Sequence, residues 1–372
     1  MVESVFHLLG RWDILGPVSA ALLAATPLAA WGDPAGTGGD APKPRLALVY
    51  AKGYEIRLGG LEKLHAFDIH KYSKIHDRLV EDGLAGKRDF RVPKPLDEAQ
   101  IRLVHSPAFL RSLKDPATVA AYLEAPVVRF LPAAVVEKSI LRPFRLASGG
   151  TVLASRLALE HGLAVNLGGG YHHAKPDKGE GFCIYADMPI AIRILQGEGL
   201  IRRALVVDLD VHQGNGTIVC LPGDEAVFTF SMHESNIYPI PKERGDLDVE
   251  LAPGTGDEPY LKLLQKHLPD AIRRSRPDLV FFQAGCDPLK GDPLASLAMT
   301  TDGIVRRDAY VIDTCVRQRI PVVMLLGGGY SENAWSTQHA SIRRTLKTYG
   351  VAQPAQGGGG PAKPAKFFGK RQ

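Results

Sequence analysis

Leu205-Val206-Val207-Asp208-Leu209-Asp210-Val211-His212-Gln213-Gly214-Asn215-Gly216 opens as a buried strand and then does what a core strand avoids. Apolar and polar residues alternate. The period-2 geometry of an extended chain therefore sends Asp208, Asp210 and His212 to one side, away from Val207, Leu209 and Val211. Burying two carboxylates and an imidazole without partners is costly, which points to a bound cation. A pair of turn or capping aspartates followed by a surface histidine is the competing reading, and this stretch alone leaves both open.

Working outward, five further apolar runs read as strands: 46–50, 163–167, 227–231, 279–282 and 322–326, with the first part of the quoted stretch, 204–207, as the sixth. Helical patterns near 149–161, 188–195, 259–274 and 303–317 fall between the later ones. Strands alternating with helices predict an α/β fold with an open, mainly parallel sheet covered by helices, and continuous apolar runs suit strands buried on both faces. The segment from 51 to 148 carries no strand signal. It contains Asp68-Ile69-His70-Lys71-Tyr72 and helix starts at Leu96-Asp97-Glu98 and Ser106-Pro107, where proline fits the first turn.

Composition narrows the class. With 372 residues, 45% hydrophobic and 23% charged, the chain has the makings of a sizeable globular core. A net charge of +5, part of it in the C-terminal tail, gives no nucleic-acid footprint. Cys183, Cys220, Cys286 and Cys315 form no Cys-x-x-Cys pair, so neither a disulfide framework nor a thiolate zinc site is indicated.

Residues 14–32 are uncharged, rich in Ala and Leu, and resemble a signal-peptide core, with Leu28-Ala29-Ala30 as a weak cleavage site. Glu3, Asp13, Pro17 and Pro27 argue against that, and stable membrane insertion is not expected. The expected location is cytoplasmic, with export through this segment as the alternative. Residues 1–44 are thus read as an apolar segment and linker, 45–349 as the catalytic domain, and 350–372 as a disordered Gly/Pro/Lys tail.

Four strands run directly into polar clusters: Gly168-Gly169-Gly170-Tyr171-His172-His173, Asp208 to His212, Gly285-Cys286-Asp287, and Gly327-Gly328-Gly329-Tyr330. In an open parallel sheet the ligand crevice lies beyond the carboxyl ends of the strands, so these clusters would meet. Each has a plainer reading, as two unrelated histidines, a glycine turn, or a turn-capping Asp287; their shared placement favours a site. By residue type, Asp210, His212 and Asp287 would supply three metal ligands and leave an open position for water. His172 and His173 would transfer protons, Asp208 would orient one of them, and Tyr330 would donate to a developing oxyanion. The implied reaction is metal-assisted amide hydrolysis.

These motifs, together with Gly181-Phe182-Cys183, Gln283-Ala284-Gly285-Cys286-Asp287 and Gly291-Asp292-Pro293-Leu294, resemble the zinc-dependent histone deacetylase family within the arginase-like superfamily, over about 46–346. Gln213-Gly214-Asn215-Gly216 and Ile237-Tyr238-Pro239 look most like its class IV branch. The resemblance implies a single domain with an eight-stranded sheet, one zinc ion on Asp210, His212 and Asp287, tandem catalytic His172 and His173, and a carbonyl-polarising Tyr330. It further implies a potassium ion shared by Asp208, Ser231 and backbone oxygens of Asp210, His212 and Met232. Gly181, Phe182 and Tyr238 would line an acyl-lysine tunnel with Leu294 at its mouth. Asn215 departs from the commonest pattern, which has Asp beside the second histidine.

The implied substrate is an acyl-lysine protein or peptide, acetylated or carrying a longer chain, with an acylated small amine as the rival. A silent acyl-lysine reader is disfavoured because every ligand position is filled. A nucleotide-dependent oxidoreductase is disfavoured because Gly-x-Gly-x-x-Gly with its distant acidic residue is absent.

Overall fold

The computed structural model describes residues 43–353. The expected apolar segment, most of the linker and most of the tail lie outside them. Eight strands form one sheet in the order β2-β1-β3-β8-β7-β4-β5-β6, every neighbouring pair parallel. They are β1 (Arg45–Val49), β2 (Phe90–Arg91), β3 (Gly162–Asn166), β4 (Ala204–Asp208), β5 (Val227–Glu234), β6 (Leu247–Leu251), β7 (Leu279–Gln283) and β8 (Val322–Leu325).

The apolar runs become strands because alternate residues can be buried on both faces. In β1, Leu46 and Leu48 face one core cluster while Ala47 and Val49 face the other. The helices at Lys71–Glu81, Asp257–Ser275, Thr301–Arg317 and Ala334–Tyr349 cover the first face, and those at Arg142–His161 and Asp187–Gly197 the second. The long helix begins seven residues before the expected 149, with Pro143 in its first turn. It passes so close to the loop at Lys94 that a Cβ on Gly149 would lie 1.9 Å from that residue's carbonyl oxygen.

Three expectations need correction. The segment from 51 to 148 does hold a strand, β2, but two residues are too short to give a pattern. Strand β6, Leu-Asp-Val-Glu-Leu, is an edge strand whose first four residues are not buried, so it lacks an apolar run. The domain also runs past 349: Val351 bridges Leu46, and the Ala352 N–H donates to the Leu46 carbonyl at 2.9 Å. Ala352 is buried there, so the tail cannot begin at 350.

The strands that precede the four polar clusters, β3, β8, β7 and β4, are consecutive neighbours in the sheet. Their carboxyl ends therefore open onto one place.

Candidate active site

Strand β4 ends at Asp208, so Asp210 and His212 stand beyond it rather than on it. The chain bends over Asp210–His212, with the Asp210 N–H donating to Asp208 Oδ1 at 3.2 Å and the His212 N–H to Asp210 Oδ1 at 3.1 Å, and neighbouring strand ends hold it in place. The Leu209 N–H donates to the Gln283 carbonyl at 3.0 Å, and the Val211 carbonyl accepts from the Glu234 N–H at 2.9 Å. Asp287 arrives from the loop after β7, where its Oδ1 accepts from the Val211 N–H at 2.8 Å. One ligand atom from each of Asp210, His212 and Asp287 lies within 4.8 Å of the others, and all three residues are buried.

The electrostatics of this trio favour a cation. Burial and repulsion from Asp210 push Asp287 up to about 7. Burial opposes charge on His212, yet hydrogen bonds at 3.3 Å to Asp210 and 3.2 Å to Asp287 push it up to about 10. The field that holds a proton there would hold a divalent ion in its place. Glycines leave the necessary room: a Cβ on Gly328 would lie 2.3 Å from Asp287 Oδ2, and one on Gly285 would lie 2.1 Å from Asp210 Oδ2. Two buried carboxylates and one imidazole fit a catalytic zinc-type donor set.

The rings of His172 and His173 pack against each other at a 47° tilt with centroids 4.0 Å apart. His172 Nδ1 meets Asp208 Oδ2 at 2.8 Å, and His173 Nδ1 meets Asn215 Oδ1 at 2.7 Å. Burial works against charge on His172, but the Asp208 and Asp210 carboxylates outweigh it and push the imidazole up to about 9. Burial, reinforced by positive charge on His172 and His212, holds His173 well below its ordinary value. The loop that carries this pair is fastened by Asp187, which accepts from the Gly170 and Tyr171 N–H groups at 2.8 Å each and from the Thr151 hydroxyl at 2.5 Å. Gln283 adds a bond from Nε2 to the Gly170 carbonyl at 2.8 Å.

Tyr330 lies on the opposite wall, its ring centroid 6.3 Å from that of His212. Desolvation and the carboxylates of Asp287 and Asp210 push its phenol well above the ordinary value, so it stays a donor. Its loop is held from two sides. Asp292 Oδ2 accepts from the Tyr330 N–H at 2.7 Å and the Ser331 N–H at 3.2 Å. Buried Lys71 donates to the carbonyls of Gly327 at 2.7 Å and Gly328 at 3.1 Å. Sequence reasoning gave no role to Asp187, Lys71 or Asp292, since single polar residues without a pattern announce nothing; Asp292 and Lys71 stood inside quoted stretches, but without a function attached.

His172, His173 and Tyr330 open into a cavity of about 460 Å³. Its walls include Ile56, Leu58, Leu123, Val127 and Phe144. Gly181, Phe182 and Leu294 also line it, with Phe182 stacked edge-on to Tyr330 at 5.8 Å. Phe182 has φ +65, a left-handed conformation that costs a residue with a Cβ about 1–3 kcal/mol. Tyr238 is not among the cavity walls. It packs edge-on against His173 at 4.9 Å and is 39% exposed. Asp208 and Ser231 are register partners across β4 and β5, with Met232 following in β5, and Ser231 Oγ lies 2.9 Å from His233 Nδ1.

Comparison with known proteins agrees with this geometry. A sequence profile of the histone deacetylase domain matches residues 65–346. Histone deacetylase 2 of Arabidopsis thaliana is 39% identical over 298 residues, 79% of this chain and 77% of that protein. Among solved structures, the HDA15 HD domain aligns with a TM-score of 0.65 at 21% identity, covering 82% of this chain and 92% of that one. An acetylpolyamine aminohydrolase from Burkholderia pseudomallei gives 0.63 at 19%, covering 81% and 98%. The last two likenesses concern the fold; the profile match, spanning most of the chain, carries the assignment. Seen together with the buried Asp210, His212 and Asp287 beside tandem histidines, it places the chain in the histone deacetylase family.

Proposed function

We propose that the protein is a zinc-dependent deacylase that removes acetyl or longer acyl groups from lysine side chains. The observation that carries this is the metal-ligand trio set beside two histidines and a tyrosine that open into one apolar cavity. A zinc ion on Asp210, His212 and Asp287 would polarise the acyl carbonyl and make a water molecule nucleophilic near neutral pH. His173, uncharged, accepts a proton from the attacking water through Nε2. His172, kept cationic by Asp208, supplies the field and the proton that the departing amine needs. Tyr330 donates its hydroxyl where the carbonyl oxygen gains charge. Asp208 and Ser231, with backbone oxygens of Asp210, His212 and Met232, would hold a potassium ion behind the site.

The cavity supports acyl chains longer than acetyl: about 460 Å³ with a largely apolar lining far exceeds one methyl group and falls in the ordinary range of about 300–1,000 Å³ for ligand pockets. A second reading, hydrolysis of an acylated small amine, is favoured by Glu62 and Glu124, which border the same cavity and would attract a cationic amine. Glu62 is partly occupied, since its Oε2 accepts from the N–H groups of Leu58 and Gly60.

Zinc-loaded protein assayed against an acetyl-lysine peptide, a long-chain acyl-lysine peptide and an acetylpolyamine separates these. Turnover of the peptides, with the long chain equal or better, is the expected result. Turnover of the acetylpolyamine alone selects the second reading, and no hydrolysis by zinc-loaded protein rejects both.

A further inference from the structure

His173 has no carboxylate partner, but a carboxylate stands one step further on. The Asn215 Nδ2 donates to Glu180 Oε1 at 2.7 Å, while Asn215 Oδ1 faces His173 Nδ1 at 2.7 Å. An ionised carboxylate only accepts, so the amide must turn its NH₂ toward Glu180. Its oxygen is then committed to the imidazole. Because that oxygen cannot donate, the ring nitrogen facing it must carry the proton, and a neutral ring is left with a free electron pair on Nε2.

Glu180 is itself anchored. Lys178 Nζ lies 2.8 Å from its Oε2 and Lys175 Nζ 3.2 Å from its Oε1, and its side chain is only 14% exposed. The next residue, Gly181, has φ +55, and a Cβ there would lie 2.5 Å from His173 Cδ2. The same loop therefore buttresses the ring from below and sets the amide that aligns it.

We propose that Glu180 is a positioning residue for His173: its acceptor-only carboxylate fixes the Asn215 amide, which in turn holds the His173 proton on Nδ1 and leaves Nε2 for the substrate. The inference rests on the deacylase reading only for the catalytic use of that Nε2. The contrast with His172 is direct, since Asp208 holds the Nδ1 proton of that ring without help: either carboxylate oxygen accepts, whereas an amide must be told which way to face.

The test uses the full-length protein with Glu180→Leu, Glu180→Gln, Asn215→Asp and the double variant Glu180→Leu/Asn215→Asp. Two readouts are taken. One is kcat and KM on an acyl-lysine peptide with zinc bound; the other is the ¹⁵N spectrum of the histidine rings, with His173 assigned by its loss in His173→Ala. Glu180→Leu should lower kcat about tenfold, the scale of one hydrogen bond, with little change in KM, and should mix the two tautomers of His173. Glu180→Gln retains an oxygen that accepts from Asn215 and should recover most of that loss. In the Asn215→Asp background, where no amide needs orienting, Glu180→Leu should cause no further loss.

An equal loss from Glu180→Leu in both backgrounds would reduce Glu180 to a structural support and overturn the proposal. So would a wild-type tautomer signal in Glu180→Leu. If the wild-type protein hydrolyses no acyl amide, the deacylase reading falls separately, and the ring spectra alone decide whether Glu180 sets His173.

Discussion

His172 and His173 are adjacent in sequence, packed ring against ring at a tilt, and bonded through the same ring nitrogen at nearly the same distance. One bond ends on a carboxylate and the other on an amide. Burial presses on both rings; the carboxylates of Asp208 and Asp210 push one up to about 9, while the other, with an amide partner and positive charge on His172 and His212 beside it, is held well below its ordinary value. Two titratable groups whose surroundings drive them apart divide the work of acid and base. A cation near Asp210 would lower the proton affinity of both rings.

The most drastic way to break this contrast is Asp210→Ala. It deletes a proposed metal ligand and one of the two charges that lift His172. Bound zinc and activity should both vanish while the far-ultraviolet circular dichroism is retained; stoichiometric zinc with full turnover would show that Asp210 is no ligand.

Tyr330→Phe leaves both histidines in their present surroundings and removes the donor alone. The rate should fall about a hundredfold or more, the scale of losing one oxyanion donor, with metal content unchanged. Wild-type turnover would remove Tyr330 from the mechanism.

Asp208→Asn makes the two histidines alike by giving each an amide partner. His172 loses its closest negative charge, so its proton affinity falls and the limb of the pH–rate profile that reports it moves to lower pH. A drop in kcat of about tenfold to a hundredfold is expected, toward the low end for general acid–base groups. An unmoved profile would mean that Asp208 does not hold the charge on His172.

Asn215→Asp sharpens the comparison from the other side and should have the smallest effect on rate. A negative charge beside His173 favours its protonated form by about one to three pKa units, so the limb reporting this histidine should move to higher pH. Superimposable profiles of the two proteins at saturating zinc, with His173→Ala as the control, would show that position 215 does not tune the ring.

The sheet was legible where burial on both faces writes an unbroken apolar run, as in Leu279–Gln283, and illegible where it does not. Phe90–Arg91 is too brief, and Leu247–Leu251 sits on an edge with aspartate and glutamate at alternate positions. The candidate cluster showed itself because polar residues at the end of an apolar strand contradict their surroundings. Asp208, Asp210 and His212 did so even though the strand proper stops at the first of them. The residues that hold the cluster in place carry no such contradiction. Asp187 opens a helix, where an acidic residue is ordinary, and Lys71 lies in a helical turn whose inward direction depends on the glycine loop some 256 residues away. Glu180 stands between two glycines, and what makes it informative is Asn215, which only the fold brings near.

The strand order has a consequence for how the chain comes to be folded. Strands β3 and β4 are consecutive in sequence but are separated in the sheet by β8 and β7, which are made later. A nascent chain that ends before Leu279 therefore has both β3 and β4 waiting as open edges, with the gap between them unfilled. Such edges invite pairing with the wrong partner, and long-range parallel pairing is slow to form. Asp287 also belongs to that late segment, so the third proposed metal ligand is delivered by the wedge that closes the sheet. The last stage of assembly and the completion of the ligand trio are thus one event, and a partly synthesised chain has two edges to protect from aggregation before it has any chemistry to perform.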